Sequence, residues 1–502
     1  LSVPYIKTPR DARNIFQKIG ARFFGVGVNA YMRIAPVFFI PGYRLISFRN
    51  VRELEFIERL APVYNIERDL GVGALGSDGP VNTVSILSHP PVQNHVASAG
   101  PEVALILYKS YPQLEEMAKK HGWRLMANPS ELRERLENKL AFRKTLKLLK
   151  LPVIPGENVP VSALDGTRFD ALRRLYGETL IFQIPEITNG GGRGTFRLDS
   201  REAFQAFQDF MNGRAHYGET APSVNALAYI PGVPCSVSGC VTRHGTLLTP
   251  LQAQITNARE VIDLKTRWGA FCGHSWGAPN FSPHIRKSAG DMALRLAGYL
   301  RETGFKGVFG VDFIAREDDG AVYPVELNAR YTGALPMLSL LHIQKGIAPL
   351  DVFHVLEFLN ADYDADIRRL NHEYGQGVEG GHIILFNKRG RNVTVDGELK
   401  AGTHRFDAGR GELEYRKPGL FYQDMENGAD VVITDGAPFR GAFIASGDEF
   451  SRVLRILFPK PITDQGARLT PETVRIIERA YKLLDLRPAD ETADEKPGEE
   501  PV

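Results

Sequence analysis

The chain has 502 residues, 43% of them hydrophobic, with 61 Lys and Arg against 59 Asp and Glu for a formal net charge of +2. This excludes a disordered chain, and at about 150 residues per domain it predicts roughly three domains. The charge balance offers no bulk attraction to nucleic acid or an anionic membrane, so an anion would be met at a local site.

Cys235, Cys240 and Cys272 contain no CxxC pair, so neither a disulfide framework nor a zinc site is expected and the chain reads as cytoplasmic. The most apolar early stretch, Phe23 to Ile40, includes Asn29, Arg33 and Pro36 and is too polar for a spanning helix. Strands are expected at Tyr43 to Phe48, Thr83 to Leu87 and Val103 to Tyr108, with a helix from Tyr111 to His121 ending at Gly122. That alternation predicts a parallel sheet with crossover helices. Gly71-Val72-Gly73-Ala74-Leu75-Gly76 matches a dinucleotide fingerprint but has neither the strand nor the helix around it that the motif needs.

From Asn128 a capped helical pattern with leucines at 132, 136 and 140 runs on through Leu146 and Leu149 to Leu151-Pro152. The strand Leu180 to Ile184, the loop Asn189-Gly190-Gly191-Gly192-Arg193-Gly194-Thr195 and the strand Phe196 to Leu198 form a hairpin-like flap, followed by a helix from Arg201 to Met211. Ala226 to Val241 reads as two strands broken at Pro231-Gly232, and Ser288 to Thr303 as an amphipathic helix. Gly307 to Ala315 and Ala321 to Leu327 are a strand pair joined by a polar loop. A helix from Ala348 to Leu359 precedes a strand-rich segment from about 376 to 447, and helices at Asp448 to Leu457 and Pro471 to Leu484 close the fold before an acidic tail, expected to be disordered, from Arg487.

The strand pair carries the chemistry. Strand alternation puts Glu326, Asn328 and Arg330 on one face and Val325 and Leu327 on the other; with Asp312 facing the same way, two carboxylates and an amide converge beside a guanidinium. Such oxygen ligands suit a hard divalent cation, although a solvated sheet face with a salt bridge fits the alternation equally well. The glycines at 190–194 allow close backbone approach to a phosphate, but the loop lacks the Lys-Ser/Thr ending of a P-loop.

In their order these elements resemble the ATP-grasp superfamily of ATP-dependent ligases over roughly residues 80 to 345, most specifically in Gly-Val-Asp-Phe followed by Val-Glu-Leu-Asn-Ala-Arg. The resemblance implies an ATP-grasp fold, mixed α/β and α+β. It divides the chain into an N-terminal Rossmann-like domain at 1–125, an ATP-grasp domain at 126–375 and a strand-rich lobe at 376–486. It also implies ATP and Mg²⁺, with Mn²⁺ as an alternative. Phosphate contacts fall on Lys139 and the flap Asn189 to Thr195, adenine contacts on Ala228, Tyr229 and Ile230, metal ligands on Asp312, Glu326 and Asn328, and the transferred phosphate or acyl group on Arg330.

Two departures stand out. Gln183 occupies the place of a second phosphate-binding lysine, and Pro234-Cys235-Ser236 replaces the usual acidic residue after the hinge. The implied activity joins a small-molecule carboxylate, as an acyl phosphate, to an amine such as an amino acid or peptide. A biotin carboxylase-like enzyme acting on bicarbonate, and a nucleotide-binding regulatory protein that has lost turnover, remain as alternatives. No nucleic-acid or membrane partner is expected, and a homodimer stays open. His274 is weighed as a base or substrate contact and reads better as a structural loop histidine, while Arg259, Lys265 and Arg267 read as a solvated basic loop.

Overall fold

The protein is described here from a computed structural model covering residues 5–71, 81–185, 187, 192–216, 221–263, 268–277, 281–316, 318–446, 451–464 and 467–489. The 72–76 part of the dinucleotide-like motif, Asn189 to Gly191, Lys265, Arg267 and the tail from 490 lie outside these residues.

Five short apolar segments near the N-terminus form a parallel sheet in the spatial order Val63–Asn65, Arg44–Ser47, Arg22–Gly27, Val103–Ile106, Arg124–Met126. Successive residues point to opposite faces, so Phe23, Leu45 and Ala104 enter one core while Phe24, Ile46 and Leu105 enter another. Burial on both faces explains why these strands read as unbroken apolar runs. Strand order reverses between 22–27 and 103–106, and Asn29, Arg33, Tyr108 and Lys109 follow the carboxyl ends of these two strands.

The strand expected at Thr83 to Leu87 is a helix, Thr83–Ser88. Asn82 caps it by accepting from the backbone N–H groups of Val84 and Ser85, and the Ser85 hydroxyl accepts from the Asn82 N–H. This reciprocal cap outweighs the strand preference of the apolar side chains. The long pattern after Asn128 is two helices, Ser130–Glu137 and Lys139–Leu148, because Asn138 is extended (φ −61°, ψ 121°) and starts the second by capping Leu140 and Ala141.

A four-stranded antiparallel sheet follows in the order Gly156–Pro160, Ser223–Ala228, Leu180–Gln183, Thr195–Leu198. One face carries Phe182, Phe196, Val224 and Ala226 into a core with Phe169, Phe204 and Phe207 from helices Gly166–Tyr176 and Arg201–His216. The other face looks toward the strand pair that bears Asp312.

The largest sheet has eleven strands, ten of them in the order Val322–Asn328, Gly307–Arg316, Gly232–Thr242, Gln252–Thr256, Phe271–Trp276, Gly380–Phe386, Arg452–Phe458, Asp430–Thr434, Gly402–Asp407, Glu412–Lys417. Gly245–Leu248 pairs to the side of 232–242. Helix Pro283–Glu302 lays Ala289, Ala293, Leu296 and Leu300 against Phe309, Val311 and Phe313. Of the helix expected at Asp448 to Leu457, residues 448–450 lie outside the described residues, and 452–457 belong instead to the strand 452–458 in the middle of this sheet. Its run of buried residues fits either state by periodicity, and ladders to 380–386 and 430–434 decide for the strand. Helix Pro471–Leu484 forms as expected and packs on a three-stranded sheet of 443–444, 393–395 and 486–488; residues 487–489 of the expected tail are therefore ordered.

Candidate functional site

Asp312 and Glu326 stand directly opposite each other across the hairpin, with the register shifting just beyond them between Asp312 and Phe313. The bulge places Val325 in the apolar cluster with Ile181, Ile314 and Tyr323, whereas simple alternation had put it opposite Glu326 with Leu327. Leu327 does enter the core beneath.

Asn328 Nδ2 donates to Asp312 Oδ2 at 3.0 Å, and Arg330 Nη2 donates to Asn328 Oδ1 at 2.8 Å. Because arginine only donates, the amide orientation is fixed, with the Asn328 oxygen turned to Arg330 and one of its two lone pairs used there. Burial, reinforced by Glu326, lifts the Asp312 carboxyl to about 7 against the opposing pull of Asn328 and Arg330. A buried carboxylate facing a second carboxylate favours a proton or a cation. Among the described residues no group of three His, Cys, Asp or Glu side chains is placed to hold a metal. The oxygen donors that fit Mg²⁺ are the two carboxylates and the Asn328 amide oxygen, whose Nδ2 also braces Asp312.

Arg330 is 7% exposed and held on every side. Its Nη1 donates to the Tyr108 hydroxyl at 2.6 Å and to the Tyr331 carbonyl at 3.1 Å. Its Nε lies 3.0 Å from Glu137 Oε1 as an ion pair in which the N–H is not aimed at the oxygen. Burial opposes its charge, but Glu137, Tyr108, Glu326 and Asp312 outweigh that and push its pKa up. Glu137 also binds Arg133 Nη1 at 2.9 Å, and Lys109 close by is lowered to about 8 by burial and by Arg133 and Arg330. Sequence reasoning missed Glu137, Tyr108 and Lys109: Tyr108 is 222 positions from Arg330, and no local spacing announces the contact.

Lys139 opens the helix that Asn138 caps; its Nζ donates to the Ile187 carbonyl at 2.9 Å and lies 3.9 Å from Glu326 Oε1. The expected phosphate lysine and metal carboxylate are therefore neighbours. On the cleft face of the four-stranded sheet, cross-strand register aligns Asn158, Asn225, Gln183 and Thr195 in one rung and Gly156, Leu227, Ile181 and Arg197 in the next. Of the glycine loop, Gly192 (φ 81°) rests on the Gly269 carbonyl, where a Cβ would come within 2.6 Å, and the Thr195 carbonyl accepts from the Trp268 N–H at 2.9 Å. Gly194 lies against Ile187, while Arg193, next to it, is half-buried.

At the hinge, Ala228 and Ile230 join Ile154, Leu227, Ile314 and Tyr323 in an apolar cluster between the two sheets. Their backbone is partly spoken for: Ala228 N–H donates to Pro155 and Tyr229 N–H to Thr179. The Tyr229 ring lies under the Arg197 guanidinium, which also covers Trp268.

His274 lies in a strand, not a loop, and is 3% exposed. Arg455 Nη1 donates to His382 Nδ1 at 2.6 Å, and His382 Nε2 is 3.2 Å from His274 Nδ1. Burial and then Arg455 lower His274 to about 3, which favours the neutral ring within this buried network. Arg259 is exposed, as expected of a solvated loop. The three cysteines are buried and free, and no described helix is long and apolar enough to cross a membrane.

No family model and no curated protein matches the chain. Solved structures do match in fold. The biotin carboxylase of Campylobacter jejuni, solved with an ATP analogue, is 13% identical with a TM-score of 0.57, covering 93% of this chain and 92% of the other. The biotin carboxylase domain of Hydrogenobacter thermophilus 2-oxoglutarate carboxylase, solved as a dimer with MgADP and bicarbonate, is 14% identical at 0.55 over 88% and 86%. Pyruvate carboxylase of Rhizobium etli is 15% identical at 0.54, over 93% of this chain and 37% of that one. The parallel sheet, the four-stranded flap sheet and the carboxylate-bearing hairpin thus belong to a known architecture: this chain has the ATP-grasp fold, in the arrangement of the biotin carboxylases.

Proposed function

We propose that the protein is an ATP- and Mg²⁺-dependent ligase that activates a carboxylate as an acyl phosphate and passes the acyl group to an amine. A carboxylate oxygen attacks the γ-phosphorus, the bond to the β–γ bridging oxygen breaks and ADP leaves. The amine nitrogen then attacks the acyl carbon, phosphate departs with the C–O electron pair, and the nitrogen loses a proton. The observation that carries this reading is the adjacency of Lys139 to Glu326, of Glu326 to Asp312, and of Asp312 through Asn328 to Arg330.

In this reading ATP lies between the flap sheet and the hairpin. The base sits on the apolar cluster with Ala228, Tyr229 and Ile230, and the phosphates lie near Lys139, Gln183, Thr195 and the flap residues Asn189 to Gly194. Asp312 and Glu326 would hold Mg²⁺, which supplies charge neutralisation at the transferring phosphoryl group. Arg330, anchored by Glu137 and Tyr108, retains one unassigned Nη2–H for the oxyanion that develops during transfer.

Bicarbonate as the acid is the second reading, favoured by the biotin carboxylase architecture of the fold neighbours. One assay separates the two: release of ADP and phosphate measured with amino acids and dipeptides, and with bicarbonate plus free biotin. ADP formed only when a carboxylate and an amine are both present supports the amine ligase, whereas dependence on bicarbonate and biotin transfers the site to the second reading. Release of AMP and pyrophosphate would remove acyl phosphate chemistry altogether, and tight ATP binding without turnover would indicate the regulatory alternative.

A further inference from the structure

The flap sheet holds a buried donor that nothing among the described residues accepts. Asn225 is 0% exposed, and its Nδ2 has no hydrogen-bond partner among the described residues. The orientation of its amide follows from its neighbour. Asn158 Nδ2 donates to the Val224 carbonyl at 3.3 Å, and a carbonyl only accepts, so Asn158 presents N–H groups on that side. Asn225 therefore turns its Oδ1 to Asn158, at 3.3 Å, and its NH₂ points away.

Strand alternation settles the face. Val224 and Ala226 enter the flap core, so Asn225 lies on the opposite side, directly across from Gln183, which is itself 5% exposed. The adjoining rung, Leu227 and Ile181, belongs to the apolar cluster that meets Ile314, Tyr323 and Val325 of the facing hairpin. The amide rung thus adjoins the apolar cluster shared by the two sheets, at the point where the chain has Gln183. A buried N–H without an acceptor is costly, and it persists where a ligand provides the acceptor.

We propose that Asn225 is a nucleotide contact whose carboxamide donates to a phosphate oxygen of ATP, forming with Gln183 a neutral amide pair in place of a lysine. This rests on the nucleotide reading of the cleft given above. Two N–H groups supply direction without charge, so phosphate recognition at this rung is by geometry, with the countercharge left to Lys139 and Mg²⁺.

The test is MgATP binding to the full chain by titration calorimetry, without acid or amine, together with the melting temperature of the ligand-free protein. Asn225→Leu removes the orphan donor, so it is expected to raise the ligand-free melting temperature while weakening MgATP by about 10-fold or more. Asn225→Asp keeps the shape, leaves Asn158 its acceptor and puts a carboxylate against the phosphates; it is expected to weaken MgATP further. Binding within about 2-fold of wild type in both variants, or a melting temperature lowered in Asn225→Leu, overturns the assignment, the latter by showing that the amide serves the fold. Wild-type protein with no affinity for MgATP would instead overturn the nucleotide reading itself.

Discussion

Arg330 and Glu53 show two ways in which a single buried charge is managed. Arg330 shares Glu137 with Arg133, so one carboxylate compensates two buried guanidinium groups. Glu137→Gln removes the carboxylate the two share, leaving Arg133 with Glu134 alone and Arg330 with Asp312 and Glu326, and a loss of about 3 kcal/mol in denaturant stability is expected. Arg330→Ala is expected to slow turnover by about 10²-fold or more, read from the steady-state rate of ADP release; a rate near wild type would remove Arg330 from the chemistry. Among the described residues Glu53 has no cation partner: its Oε1 accepts from the Gly436 N–H at 2.6 Å, its Oε2 has no partner there, and burial raises its pKa from 4.5 to about 7. A raised carboxyl means the folded state holds its proton at pH values where the unfolded chain has lost it. The stabilisation is full below pH 4.5 and is lost as pH rises through about 7. Glu53→Gln should therefore flatten the stability profile over that window and gain up to about 3 kcal/mol at pH 8, seen in urea unfolding. The Asp312, Glu326, Asn328 and Arg330 group was legible from sequence because it depends on spacing within one hairpin. Glu137, Tyr108 and Glu53 were not, since their partners come from distant segments that only the tertiary fold brings together.

At the scale of elements, local signals fixed some structures and misled at others. Asn138 ends one helix and caps the next, and that break directs Lys139 toward Glu326; a continuous leucine stripe hides it. Asn138→Ala is expected to cost about 1 kcal/mol, measured by thermal unfolding, and to weaken ATP as Lys139 loses its fixed position. The flap hairpin was readable from apolar runs around glycines, but the contact of Gly192 with Gly269 was not, because it joins two loops. Gly192→Ala sets a methyl group against a carbonyl at a positive φ, so about 1 kcal/mol or more of destabilisation is expected, with a lowered melting temperature as the readout. Strand 452–458 was mistaken for a helix because both of its faces are buried, which erases the period-two alternation that marks a half-exposed strand.

For the whole molecule, the eleven-stranded sheet links the carboxylate hairpin to the C-terminal third of the chain without a break. Strand 271–276 pairs with 380–386, and Arg455 from 452–458 reaches His382 beneath His274. A chain ending at residue 375 would leave strand 271–276 as an apolar open edge and strip His274 of its partner. That truncation is expected to yield aggregated or unfolded protein, checked by circular dichroism and size-exclusion chromatography; a soluble folded monomer would show the sheet to be divisible there.

Strand Glu412–Lys417, the last in that sheet, has a neighbour on one side only among the described residues. An unpaired row of amides and carbonyls invites the same strand of a second molecule. The sequence of this strand alternates Glu412, Glu414 and Arg416 with Leu413 and Tyr415 before Lys417, and it is exposed from Tyr415 onward. Two such strands meeting antiparallel would have to desolvate several charges at once. The edge therefore carries its own solubility insurance, and neutral replacements at Glu412, Glu414, Arg416 and Lys417 would turn the far end of the sheet into a site for fibre-like self-pairing.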